Sequence, residues 1–118
     1  MNKRQLGNTN INLTAIGFGG APLGNLFENL DERNCYDILE KTYNEGINIY
    51  DTSPLYGYGL SEHRLGNFLK TVDEESYFLS TKVGRYLTPA KKDSIDRGRF
   101  AGSLNFSPNL DYSYDGVM

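Results

Sequence analysis

Between residues 15 and 83 the chain alternates between short apolar runs and segments with helical period, and this order of elements most constrains its fold. Ala15-Ile16-Gly17-Phe18-Gly19-Gly20 reads as a short strand that dissolves into glycines, which permit a tight turn and close approach of a ligand to the backbone. From Asp31 to Asn44 the period becomes helical, with Cys35, Ile38, Leu39 and Tyr43 in step, Asp31 able to cap the start and Gly46 suited to a left-handed stop. Ile47 to Asp51 then reads as a second strand. Ser61 opens a second helix with Leu65, Phe68 and Leu69 on its buried face, and Tyr77 to Val83 reads as a third strand. A β-α-β-α-β order predicts a parallel sheet covered by helices, an α/β fold.

The flanks say less. Gly7-Asn8-Thr9-Asn10 lies between short alternating segments and predicts a hairpin over residues 4–16. Gly84 to Asn109, rich in glycine, proline, serine and charge, reads as a long irregular connection of the kind that is functional or disordered. The stretch from Asp111 looks like the capped start of a third helix.

Charge and composition remove several classes of function. Fifteen acidic against twelve basic residues give a net charge of -3, the wrong sign for a protein whose main partner is a phosphate backbone. The locally basic Lys91, Lys92, Arg97 and Arg99 are interrupted by Asp93 and Asp96 and read as a solvated loop. No apolar run approaches the ~20 residues that span a bilayer. The polar N-terminus lacks a signal peptide's apolar centre, and the single cysteine, Cys35, allows no disulfide framework. These features point to a cytoplasmic protein.

The chemistry gathers at one end of the predicted sheet. Side chains alternate along a strand, so Ile47, Ile49 and Asp51 share a face, as do Phe78, Ser80 and Lys82. Asp51 and Lys82 then meet at the C-terminal rim, where ligands bind in parallel α/β folds. A lysine within an apolar strand needs a partner, and Asp51 is one strand away; a purely structural ion pair is one reading. Tyr56 opens another. It follows Asp51 by five residues, in a loop fixed by Pro54 and Gly57 at the same rim. A phenol with a reference pKa of about 10 is a poor proton carrier near neutrality, and lowering it by ~3 units takes about 4 kcal/mol, which a neighbouring ammonium in a partly dry site can supply. Tyr56 would then shuttle a proton, Lys82 would tune it and Asp51 would hold Lys82.

Asp51-Thr52-Ser53-Pro54-Leu55-Tyr56-Gly57, followed by Ser61-Glu62 and Leu65-Gly66, resembles the first signature of the aldo-keto reductases. Ser80-Thr81-Lys82-Val83 resembles the strand bearing their lysine, and Ile16-Gly17-Phe18-Gly19-Gly20 their first barrel strand. The resemblance covers nearly the whole chain, so residues 1–118 are expected to be a partial domain: the N-terminal portion of a (β/α)8 TIM barrel, cut before closure, since a complete one needs about 250 residues. It implies an NADP- or NAD-dependent oxidoreductase in which Asp51, Tyr56 and Lys82 are catalytic, while Gly19, Gly20, Ala21 and Asp51 border the cofactor. The family's fourth catalytic residue, a histidine on the next strand, has no counterpart here; His63, the only histidine, reads as a helix-surface residue.

Gly57-Tyr58-Gly59-Leu60-Ser61-Glu62-His63-Arg64-Leu65-Gly66 looks most like the branch that oxidises aldoses at C1 or pyridoxal. This implies a small sugar or carbonyl substrate; from charge and apolar run length no nucleic-acid or membrane partner is expected, and no metal site is read. The runner-up reading is a nicotinamide-binding barrel that serves as a regulatory or interaction subunit, which potassium-channel β-subunits of this superfamily resemble; the retained Asp51, Tyr56 and Lys82 do not exclude it. A self-contained α/β binding module is a third reading, disfavoured by the unpaired edge its third strand would expose. The 118-residue piece alone is expected to be inactive and poorly stable.

Overall fold

The computed structural model describes residues 1–118. Strands β1 (Lys3–Gln5) and β2 (Asn12–Thr14) form the expected antiparallel hairpin, with Gly7 at φ +53° in its turn. Three short parallel strands follow, β3 (Phe18–Gly19), β4 (Ile49–Asp51) and β5 (Phe78–Ser80), in the order β3-β4-β5. Helix α1 (Glu32–Asn44) connects the first pair and α2 (Leu60–Leu69) the second. The alternation read from the sequence is therefore the architecture.

The register aligns Gly19, Asp51 and Ser80 across the sheet, so the three strands end together at one rim. Asp31 caps α1 by accepting the Asn34 backbone N–H at 2.8 Å, and Gly46 at φ +82° ends it. Cys35 and Leu39 of α1 pack with Leu65, Phe68 and Leu69 of α2 over Tyr50, which is fully buried at the centre of β4. Each such side chain stabilises the fold by about 1.5–3 kcal/mol through burial. Ile38, one residue from Leu39 on the helix, is instead 43% exposed. At the opposite end of the sheet the buried Asn48 ties down the hairpin, donating to the Asn12 carbonyl at 2.9 Å and accepting from the Thr14 N–H at 2.8 Å.

Four local expectations are corrected. The third strand ends at Ser80, so Lys82 does not lie inside a strand but two residues beyond it, with its side chain 47% exposed. Helix α2 begins at Leu60 behind Gly59, one residue before Ser61. The Gly84–Asn109 segment is not irregular throughout: β6 (Arg85–Pro89) and β7 (Phe106–Leu110) pair antiparallel, with Leu87 opposite Pro108. Proline is tolerated in a two-stranded ribbon because each strand has a free edge, and Pro89 and Pro108 hid the pattern. The chain ends in a short α3 (Tyr114–Val117), capped by Ser113 rather than Asp111.

The segment between β6 and β7 folds back onto the rim. Phe27 N–H donates to the Arg99 carbonyl at 2.8 Å, Ala101 N–H to the Asn25 carbonyl at 3.0 Å, and Leu104 N–H to the Gly57 carbonyl at 3.0 Å. The basic stretch is therefore divided. Lys91, Lys92 and Arg99 are exposed, whereas Arg97 fastens the segment to itself through the Ser103 carbonyl, Ser103 Oγ at 2.7 Å and Asn105 Oδ1 at 2.9 Å. No helix is long and apolar enough to cross a membrane.

Candidate active site

Asp51 is the last residue of β4, and its carboxylate is held from the neighbouring strand. Ser80 Oγ donates to Oδ1 at 3.0 Å and Lys82 Nζ donates to Oδ2 at 2.7 Å. Lys82 Nζ also donates to the Thr52 carbonyl at 2.9 Å and lies 5.2 Å from the centre of the Tyr56 ring. The three residues singled out in the sequence thus meet around one ammonium. Its hydrogen bond to Asp51 lowers the carboxyl below its ordinary value and raises Lys82 above its own. Both side chains are nearly half exposed, at 45% and 47%, so water screens the pair and its net worth to folding is at most about 1 kcal/mol. Its geometry serves to place a charge.

Tyr56 owes its position to glycine. A Cβ on Gly24 would lie 2.4 Å from the Tyr56 carbonyl carbon and 2.6 Å from the Gly57 nitrogen, so two loop backbones touch with no side chain between them. Gly57 itself has φ +65°. Local hydrogen bonds close the loop: Tyr56 N–H donates to the Ser53 carbonyl at 3.0 Å, and the Tyr56 carbonyl accepts from Ser61 N–H at 3.1 Å at the start of α2.

Gly19, Gly20 and Ala21 divide by environment. Gly19 is exposed, and a Cβ there would meet nothing within 4 Å. Gly20 is buried, and a Cβ there would lie 2.8 Å from Ser61 Oγ and 2.9 Å from the Asp51 carbonyl oxygen. Packing of protein against protein therefore requires the glycine at 20. Ala21 opens a 3-10 turn, Ala21–Gly24, and is half-buried. His63 stands on the exposed face of α2, in a surface depression it shares with Tyr58, Glu62, Leu87, Leu104 and Phe106.

Two positioning groups escaped the sequence reading. Ser61 Oγ donates to the Gly20 carbonyl at 2.7 Å and shares a hydrogen bond with Thr52 Oγ1 at 2.9 Å, joining α2 to the ends of β3 and β4. Arg64, 8% exposed, donates to the Leu23 carbonyl at 2.7 Å, Asn25 Oδ1 at 2.7 Å, the Leu30 carbonyl at 2.8 Å and Glu32 Oε1 at 2.6 Å. It fastens the loop after β3 and the start of α1 to α2. The signal was present: Ser61, Arg64, Leu65 and Phe68 fall on one helical face, and an arginine inside an apolar stripe must have partners.

The sequence pattern described as the Aldo/keto reductase family matches residues 15–107. The chain is 43% identical over 126 aligned positions to pyridoxal 4-dehydrogenase of Microbacterium luteolum, covering 98% of this chain and 36% of that protein. It is 47% identical over 77 positions to D-threo-aldose 1-dehydrogenase of a Pseudomonas species, covering 65% of this chain and 23% of that one. Among solved structures, aldo-keto reductase AKR11C1 from Bacillus halodurans superimposes with a TM-score of 0.64 at 33% identity, over 81% of this chain and 29% of that one. The chain thus spans about a quarter to a third of the length of these relatives. Its three parallel strands and two helices are part of the (β/α)8 barrel that such proteins share.

Proposed function

The chain belongs to the aldo/keto reductase family of oxidoreductases, and on that premise we propose that residues 1–118 are part of one catalytic domain that oxidises a small aldose at C1, or reduces a small carbonyl, with NADP or NAD. The observation that carries this reading is the Lys82 ammonium, 2.7 Å from the Asp51 carboxylate and 5.2 Å from the Tyr56 ring at the rim where the strands end. Similarity to an aldose and a pyridoxal dehydrogenase favours an enzyme over a regulatory subunit.

The rim fits a nicotinamide. Gly19 leaves open space beside Asp51, so that Gly19, Gly20, Ala21 and Asp51 would border it. When bound, it accepts or supplies the hydride. The chain's own residues handle the proton. In the oxidative direction Tyr56 Oη takes the proton from the substrate hydroxyl as the C–H bond breaks, and in the reductive direction it returns that proton to the carbonyl oxygen. Lys82 Nζ, 5.2 Å from the Tyr56 ring centre, sets a positive charge beside the group that exchanges the proton. Asp51 and the Thr52 carbonyl fix Lys82 so that its charge stays in place through the cycle. A small sugar or carbonyl is the partner, and the setting is the cytoplasm.

The test is turnover of L-fucose, D-galactose and pyridoxal with NAD and NADP by the full-length protein containing this chain. Tyr56→Phe is expected to abolish turnover while cofactor still binds. Undiminished turnover in that variant would sink the assignment of Tyr56 as proton carrier.

A further inference from the structure

Phe100 lies in the segment between β6 and β7 and has no part in the proton transfer described above. Its ring centre is 6.2 Å from that of Tyr56, with the planes tilted by 37°, and 6.4 Å from that of Tyr58. The ring is half-buried. Its backbone is fixed to the rim from several directions. Phe100 forms an antiparallel bridge with Leu26, its neighbours Arg99 and Ala101 bond to Phe27 and Asn25, and the Tyr58 hydroxyl donates to the Asp96 carbonyl. Asn25, Phe27 and Tyr58 are the chain's only non-glycine residues with positive φ, at 63°, 70° and 53°. All three lie in the two rim loops that this segment grips. Backbone held in sparsely populated conformations persists only where its surroundings over-determine it, so the Phe100 ring stands at a built position beside Tyr56.

With the two ring centres 6.2 Å apart, a substrate that meets the Tyr56 hydroxyl and extends towards Phe100 lies against the Phe100 ring. The ring offers a flat, weakly polar face, which suits the C–H face of a pyranose or an aromatic heterocycle and gives an open-chain carbonyl little to rest on. We infer that Phe100 is a specificity-determining wall of the substrate site, selecting cyclic over open-chain substrates. The inference rests on the oxidoreductase reading given above.

The test compares Phe100→Ala, Phe100→Leu and Phe100→Tyr in the full-length protein, on L-fucose and pyridoxal as ring substrates and methylglyoxal as the open-chain one. Phe100→Ala is expected to raise KM for both ring substrates about tenfold, with kcat within about twofold and KM for methylglyoxal unchanged. Phe100→Tyr should restore the ring preference. An equal rise for methylglyoxal, or no rise for either ring substrate, overturns the proposal. If the alanine variant does not fold, Phe100→Leu, which retains most of the apolar volume, carries the same comparison. Should the unsubstituted protein turn over none of the three, the oxidoreductase reading fails on its own. Saturation-transfer NMR of pyridoxal then decides for Phe100: ring-proton signals lost in Phe100→Leu support the wall, and unchanged signals refute it.

Discussion

Replacing Arg64 by leucine should destabilise the protein by about 3 kcal/mol, far more than a surface arginine would. The guanidinium makes five hydrogen bonds to four groups, and its side chain is 7% exposed. The bonds to Glu32 contribute little, because that carboxylate is 75% exposed and screened by water. The bonds to the Leu23 carbonyl and Asn25 Oδ1 are buried and charge-assisted, each worth about 1.5–3 kcal/mol, and leucine leaves the Leu23 carbonyl without a donor from this side. Leucine keeps the apolar contact of the arginine stem, so the loss reports the bonds rather than a cavity. Lysine should recover only about 1 kcal/mol, since one ammonium cannot reproduce a planar fork aimed at separate acceptors. Urea unfolding of the full-length protein, followed by tyrosine fluorescence and by circular dichroism, measures both variants. A leucine variant within about 0.5 kcal/mol of the parent, or a lysine variant as stable as the parent, would refute the reasoning.

Gly24→Ala drives a methyl into the Tyr56–Gly57 backbone and should lower kcat about 100-fold by displacing Tyr56, while far-UV circular dichroism stays nearly unchanged; full activity in steady-state kinetics would contradict the contact. Asp51 should titrate below the ordinary 3.9 of an aspartate, and its contribution to stability, complete above that value, should disappear as pH falls through the lowered one. Lys82, raised above 10.4, contributes below that pH and loses its contribution as pH rises through the raised value. Carboxyl NMR checks the pair: Lys82→Met should return Asp51 towards 3.9. The 118-residue piece expressed alone leaves Ile16, Leu79 and Val83 at 62%, 53% and 65% exposure, so it should bind a hydrophobic dye and unfold without a sharp transition. A cooperative melt of the monomer would contradict that expectation.

The elements legible in the sequence itself are those whose information is local. The α1 cap at Asp31, the stop at Gly46 and the stripe of Cys35 and Leu39 depend on residues within a turn or two of one another. The order of strands and helices likewise placed Asp51 and Lys82 at a common rim, because parallel strands joined by helices must end on the same side. Only the tertiary structure decided the rest. Lys82 lies beyond its strand because the ladder stops at Ser80, a matter of partner rather than propensity. The β6–β7 ribbon was hidden because proline and polar residues suit a strand with a free edge as well as they suit a loop. Arg64 and Phe100 acquire their roles from loops 39 and 44 residues away in sequence, with acceptors at Leu23 to Glu32 for one and Tyr56 for the other. Periodicity reports which face of an element is buried; which groups meet on that face follows only when the chain has closed on itself.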